Sequence, residues 1–216
     1  EEVIMPAVKI ADFSSEAELR KNNRGLIFPY SEVDGELNII EESTFKRTAP
    51  LAFAHLESFK EELAKRDKGD PKKQEKYGAW YAWGRTQGRQ APGPKLLTKT
   101  FDAKPSFKLD RTNSLFCNGY AVMPPNEFEN GVKLSIKGLQ KIINSRFMHY
   151  YTKVTSFQIS GDYQCYQKNF IELFGIPILT KKECKIIEKG SVAEVENFLS
   201  KKYDILLKHI DEYFDY

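Results

Sequence analysis

The 216 residues, 41% of them hydrophobic and 29% charged, supply enough apolar surface for a packed interior, and the 13% aromatic content excludes wholesale disorder. The net charge is only +3, but Lys72 to Arg111 hold ten lysines and arginines against three acidic residues, a net of +7 that leaves −4 for the rest of the chain. A basic block in an otherwise mildly acidic protein is the electrostatic footprint of a polyanion-binding face, and a solvated scatter of the same charges is the plainer alternative.

Glu1 to Ile10 lack a basic start followed by an apolar run, and no stretch approaches the ~18 consecutive apolar residues of a membrane helix, so neither a secretion signal nor a span is read. The acidic start without Met leads us to expect that residues 1–23 join the chain to a domain upstream. Residues 24–40, RGLIFPYSEVDGELNII, predict a hairpin whose turn carries Asp34 and Gly35. From Thr48, Leu51, His55, Leu56, Phe59 and Leu63 recur at three- and four-residue steps. That spacing predicts one amphipathic helix of about four turns, with Pro50 near its start and Lys65 and Arg66 at its end. Residues 67–76, DKGDPKKQEK, break the pattern as a basic loop.

After the glycine-rich WYAWGRTQGRQAPGPK (80–95), the stretches PKLLTKTF, PSFKLD and SLFCNGYAVMP alternate apolar and polar residues and read as three strands. From Ser135 a helical period returns, with Ile136, Leu139, Ile142, Ile143 and Phe147 on one face. Two more helices are expected, over Lys181 to Lys189 and Val192 to Phe214, the second capped by Ser191 after Gly190. The fold class is α+β: a mixed β-sheet with a packed helix over 24–130, then a helical part of the same domain over 131–216.

No catalytic residue or metal ligand stands out. His55, His149 and His209 are far apart in helix-like stretches, and no P-loop, dinucleotide fingerprint or nucleophile elbow is present. MPPNEF (123–128) has Met before the prolines and Asn after them, so it lacks the groups of a base-holding Pro-Pro motif and reads as a strand-ending turn. Cys117, Cys165 and Cys184, widely and irregularly spaced, are expected to be buried free thiols in a reducing, cytoplasmic setting.

The chemistry that does stand out suits nucleic acid. Arg can donate two parallel hydrogen bonds to guanine, and Gln can donate to and accept from adenine. Arg85, Gln87, Arg89 and Gln90 supply these groups on a loop that Gly84 and Gly88 let approach closely. Lys95, Lys99, Lys104 and Arg111 suit phosphate anchoring. Tyr81 and Trp83 can stack on bases, although at least two of Trp80, Tyr81 and Trp83 are expected to be core or to prop the loop. Tyr163, Gln167 and Lys168 in DYQCYQKNF (162–170) form a second candidate contact, or else pack beneath the sheet.

Taken in order, WYAWGRTQG (80–88), PKLLTKTF (94–101), FKLDRTNSLFCNGYAVMP (107–124) and YQCYQKNFIELFGIPIL (163–179) resemble the TaqI-like C-terminal specificity domain of adenine-specific DNA methyltransferases. That family includes single-chain enzymes combining restriction and modification. LAFAHLESFKEELAKRD (51–67) is similar to the helix that precedes the aromatic-Gly-Arg element there, so the resemblance covers about residues 25–180. It implies a target recognition domain that grips double-stranded DNA, with the N-terminal methyltransferase domain of the same polypeptide as its partner. By resemblance the parent reaction is adenine N6 methylation on a flipped base, with S-adenosylmethionine bound by that other domain and no cofactor in this chain. Two alternatives stay open: a protein- or RNA-interaction module with an aromatic and basic face, and an enzyme acting alone, for whose cofactor no ligands are visible.

Overall fold

The computed structural model describes residues 3–83 and 93–214, except the side chains of Lys73 and Gln74. In chain order come β1 (Ile4–Lys9), α1 (Glu16–Arg20), β2 (Gly25–Ile27), β3 (Tyr30–Val33), β4 (Glu36–Ile39), α2 (Glu42–Thr48), α3 (Pro50–Glu57), α4 (Lys60–Ala64) and α5 (Pro71–Glu75). Then follow β5 (Lys95–Lys99), β6 (Phe101–Asp102), β7 (Lys108–Asp110), β8 (Leu115–Cys117), β9 (Gly119–Val122), α6 (Ile136–Ile143), α7 (Arg146–Thr155), β10 (Gln158–Ile159), β11 (Tyr163–Cys165), α8 (Lys168–Ile171), α9 (Lys181–Lys189), α10 (Val192–Tyr203) and α11 (Leu207–Phe214). The class is α+β with a helical C-terminal part. Two compact units divide the chain: Glu1–Ala7 with Asn23–Gln90, and Val8–Asn22 with Ala91–Tyr216. The strands from β5 onward thus belong with the C-terminal helices, because they share a core with them, and residues 8–22 belong there too.

In the first unit, β1 and β2 pair antiparallel from Ile4↔Ile27 to Pro6↔Gly25. The expected hairpin forms between β3 and β4, and its two-residue turn takes left-handed backbone at Asp34 (φ 53°) and Gly35 (φ 81°), which matches the twist of the flanking strands. The single helix expected over 48–66 is instead α3 and α4, with α2 ahead of them. Ala49 is non-helical (φ −140°, ψ 63°), Pro50 opens a new helix, and Phe59 (φ −108°, ψ 13°) interrupts again. That restart changes which residues point inward. Phe45, Ala49, Ala52 and Phe53 are buried, whereas Leu51, expected on the inner face, is 75% exposed and Phe59 is exposed. The Phe45 and Phe53 rings meet edge to face at 5.4 Å.

In the second unit β5 is the central strand of β7–β5–β9, antiparallel to both neighbours. Successive side chains on a strand face opposite ways, and β5 uses both sides. Leu96 enters the large core with Leu139, Ile142 and Tyr166, while Leu97 enters a smaller one with Val8, Ile10 and Leu19. On β9, a Cβ at Gly119 would lie 2.1 Å from the Thr98 carbonyl oxygen, so only glycine fits that approach. SLFCNGYAVMP is two strands rather than one, broken at left-handed Asn118 (φ 62°).

Ser135 caps α6 as its sequence implies, its hydroxyl accepting from the Gly138 amide at 3.1 Å, and Leu139, Ile142 and Ile143 are buried. The helix then restarts at Ser145 as α7. The helix expected over 192–214 is likewise two, since α10 ends on left-handed Asp204 (φ 54°) and α11 begins at Leu207. Arg146 of α7 ties these helices together through Glu196 (2.6 Å) and Asp211.

Thr180 and Glu183 form a capping box on α9, and Lys202 lies 2.6 Å from the Glu183 carboxylate. That ammonium, with the Thr180 amide and hydroxyl, holds the Glu183 carboxyl down to about 2. A depressed folded-state pKa contributes stability above the ordinary carboxylate value that is lost as pH falls through the folded one. Urea midpoints of the native protein and Glu183→Gln should therefore differ at neutral pH and converge between about pH 5 and pH 2. Gly119→Ala should cost about 2–4 kcal/mol in the same assay, because its methyl group meets a backbone carbonyl that has no room to yield.

Candidate nucleic-acid interface

Arg85, Gln87, Arg89 and Gln90 lie outside the described residues, and so do Gly84 and Gly88; the structure describes the chain on either side of them. On the N-terminal side, three aromatics and one arginine build a braced turn in the first unit. Tyr81 is 4% exposed, packs against Phe45 at 5.3 Å, and donates its hydroxyl proton to the Ile40 carbonyl at 2.6 Å. Trp80 is half-buried, donates its indole N–H to Glu42 at 3.3 Å and carries the Lys60 ammonium 4.9 Å from its ring. The Arg66 guanidinium, 4.9 Å from the Tyr77 ring, donates to the carbonyls of Leu63 (3.0 Å) and Trp80 (2.8 Å) and to that of Ala82. Tyr81 is thus not free to stack on a base, a correction that follows from its packing: the ring completes the first unit's core. Trp83 is 43% exposed, but its backbone N–H donates to the Tyr30 hydroxyl at 2.8 Å and its indole N–H to the Ile27 carbonyl at 2.9 Å. The ring is thus partly exposed while its polar edge is occupied.

On the C-terminal side, in the second unit, Lys95 is the other correction. It is fully buried, and its ammonium donates to the carbonyls of Gly93 (3.0 Å) and Thr112 (3.1 Å) and lies 3.5 Å from Asp110. Burial lowers its pKa, and Asp110 offsets part of that effect. Such a lysine cannot reach a phosphate. Lys108 is also buried, bonded to the Ser106 hydroxyl at 2.6 Å, so among the described residues two cations of the block are used inside. Arg111, one residue past Asp110, is exposed. Lys72 and Lys76 are exposed in the first unit.

Lys99 is at the far end of β5 from Lys95, about 14 Å away at strand spacing. There the fold joins two distant stretches. β6 pairs antiparallel with β11 through Gln164↔Asp102 and Cys165↔Phe101, and the Tyr166 amide donates to the Thr100 carbonyl at 2.7 Å. Half-buried Lys99 and exposed Lys104 flank β6, while exposed Tyr163 starts β11 and half-buried Gln167 and exposed Lys168 follow it. Lys168 makes a 3.8 Å ion pair with Glu172. β10 completes this small sheet, with Ile159 opposite Tyr163. Phe157 and Ile159 are exposed apolar neighbours that the sequence reading overlooked, and their i, i+2 spacing before a turn was the available signal. The predicted second-unit residues therefore form two groups: Arg111 at one end of β5, and Lys99, Lys104, Tyr163, Gln167 and Lys168 at the other.

MPPNEF follows the end of β9, in keeping with a strand-ending loop. Cys165 and Cys184 are buried free thiols, but Cys117 is exposed. Among the described residues, no group of three or more His, Cys, Asp or Glu is placed to hold a metal ion, and no helix is long and apolar enough to cross a membrane. His149 is stacked on Phe214 at 4.3 Å. The chain matches no protein-family model and no curated protein.

The chain has two tryptophans, and both lie in the braced turn, so tryptophan emission excited selectively over the tyrosines reports on it. Arg66→Met removes charged donors from the Leu63, Trp80 and Ala82 carbonyls and should cost about 2–3 kcal/mol. Urea unfolding followed by tryptophan emission should reveal that loss, with a red-shifted native spectrum.

Proposed function

We propose that this chain recognises double-stranded DNA as the target recognition domain of an adenine-N6 DNA methyltransferase, or of an enzyme combining restriction with modification, of the TaqI-like specificity type. The observation that carries this proposal is the β6–β11 pairing, which joins two segments some sixty residues apart whose flanking residues include three lysines, a tyrosine and a glutamine. Lys99, Lys104 and Lys168 offer phosphate contacts there, and Tyr163 and Gln167 offer a ring and an amide. Trp83 directly precedes in sequence the segment that bears Arg85, Gln87, Arg89 and Gln90, the groups proposed to read base edges, and exposed Arg111 of the second unit offers a further phosphate contact. The methyl transfer itself is assigned to an N-terminal methyltransferase domain of the same polypeptide, which would bind S-adenosylmethionine in the cytoplasm. This chain supplies grip and register.

A second reading, docking to protein or RNA, is favoured by the exposed apolar side chains Phe157, Ile159, Leu173 and Ile178. The two separate in one titration. A labelled mixed-sequence duplex should bind with log affinity falling linearly against log salt, and Lys104→Ala should lower that slope by about 0.9, one phosphate contact. Lack of duplex binding at low salt, or stronger binding to single-stranded RNA, would refute duplex recognition.

A further inference from the structure

On the footing that the chain binds duplex DNA, we infer that the buried Lys95–Asp110 pair is a positioning device that presents Arg111 to the phosphate backbone. Lys95 and Asp110 face each other in the β5–β7 register, and neither reaches solvent. Ion pairing alone is a poor reason to bury both, because packed apolar residues hold two strands together as well or better. What charges and hydrogen bonds add is direction, and here, apart from the Lys95 bond to the Gly93 carbonyl, they converge on a single turn. The Asp110 carboxylate accepts from the Thr112 amide (2.9 Å), the Thr112 hydroxyl (2.8 Å) and the Ser114 hydroxyl. The Lys95 ammonium holds the Thr112 carbonyl from the other side, and the Asn113 side chain accepts from the Gly93 amide at 3.1 Å.

Residues 112, 113 and 114 are thus each fixed, and Arg111 is the one charged side chain between them and Asp110. It is exposed and makes no ion pair among the described residues. Arg111 is a strong phosphate ligand by its chemistry, and the buried pair restricts where its backbone stands. Lys95, which the sequence offers as a phosphate contact, acts instead through its neighbour.

A double-mutant cycle tests this. Affinity for a labelled mixed-sequence duplex two helical turns long is measured against salt for the native chain, Lys95→Met, Arg111→Gln and the double variant. Each single change should weaken binding about tenfold and lower the salt slope by about 0.9. The double variant should fall no further than Arg111→Gln alone. Losses that multiply, or full binding by Lys95→Met, would overturn the inference. Lys95→Met strands a buried carboxylate, so the cycle is repeated with Lys95→Met/Asp110→Asn, in which the Thr112 amide keeps an acceptor and no charge is left unpaired. Amide exchange at Thr112 and Gly93 should quicken in both variants, a readout independent of DNA. If the native chain binds no duplex at low salt, the recognition function fails, whereas unchanged exchange at these amides refutes the positioning role.

Discussion

The second unit depends on the double-sided burial of β5. Five residues carry a ladder on each edge, with β7 and β9, and a core on each face, through Leu96 and Leu97. A strand in that position cannot move without disturbing both cores, and its ends become fixed points. One end holds the Lys95–Asp110 pair where the chain arrives from residues 84–92. Beyond the other, the chain turns at Thr100 into β6 and meets β11. The two groups of candidate DNA contacts in this unit are the two ends of one strand.

Burial also decides which cations can act at a distance. The +7 of residues 72–111 is a property of the sequence, but Lys95 and Lys108 are enclosed with internal acceptors and add little to the surface field. In the second unit the block is left with a sparser set, Lys99, Lys104 and Arg111, joined by Lys168 from outside the block. Spaced cations around exposed rings suit a ligand with a regular backbone charge and stacking surfaces, a combination typical of nucleic acid. In the first unit the aromatics divide the same way: Tyr81 and much of Trp80 serve the core, and Trp83 is exposed.

Local signals were legible and long-range ones were not. Ser135 and Ser191 announce helix starts through their own side chains, and Asp34–Gly35 announces a turn through backbone preference, so those elements form where expected. The 48–66 stretch misled because Pro50 suits the first turn of a helix whether the helix is new or continued; the spacing of Phe45, Ala49, Ala52 and Phe53 held the inward face. Lys95 misled for a different reason. Its partner Asp110 is fifteen positions away, and alternation within PKLLTKTF cannot tell a strand with one wet face from one covered on both. The β6–β11 pairing lies beyond any window of local reading, so nothing in the sequence around Lys104, Phe157 or Tyr163 announces that the strands beside them meet.

Hydrogen exchange of the chain with and without a mixed-sequence duplex at low salt tests DNA recognition most directly. The account predicts slowed exchange at residues 99–104, 111–114 and 163–168, with α9 and α10 unaffected. No change anywhere, or protection confined to the C-terminal helices, would contradict it.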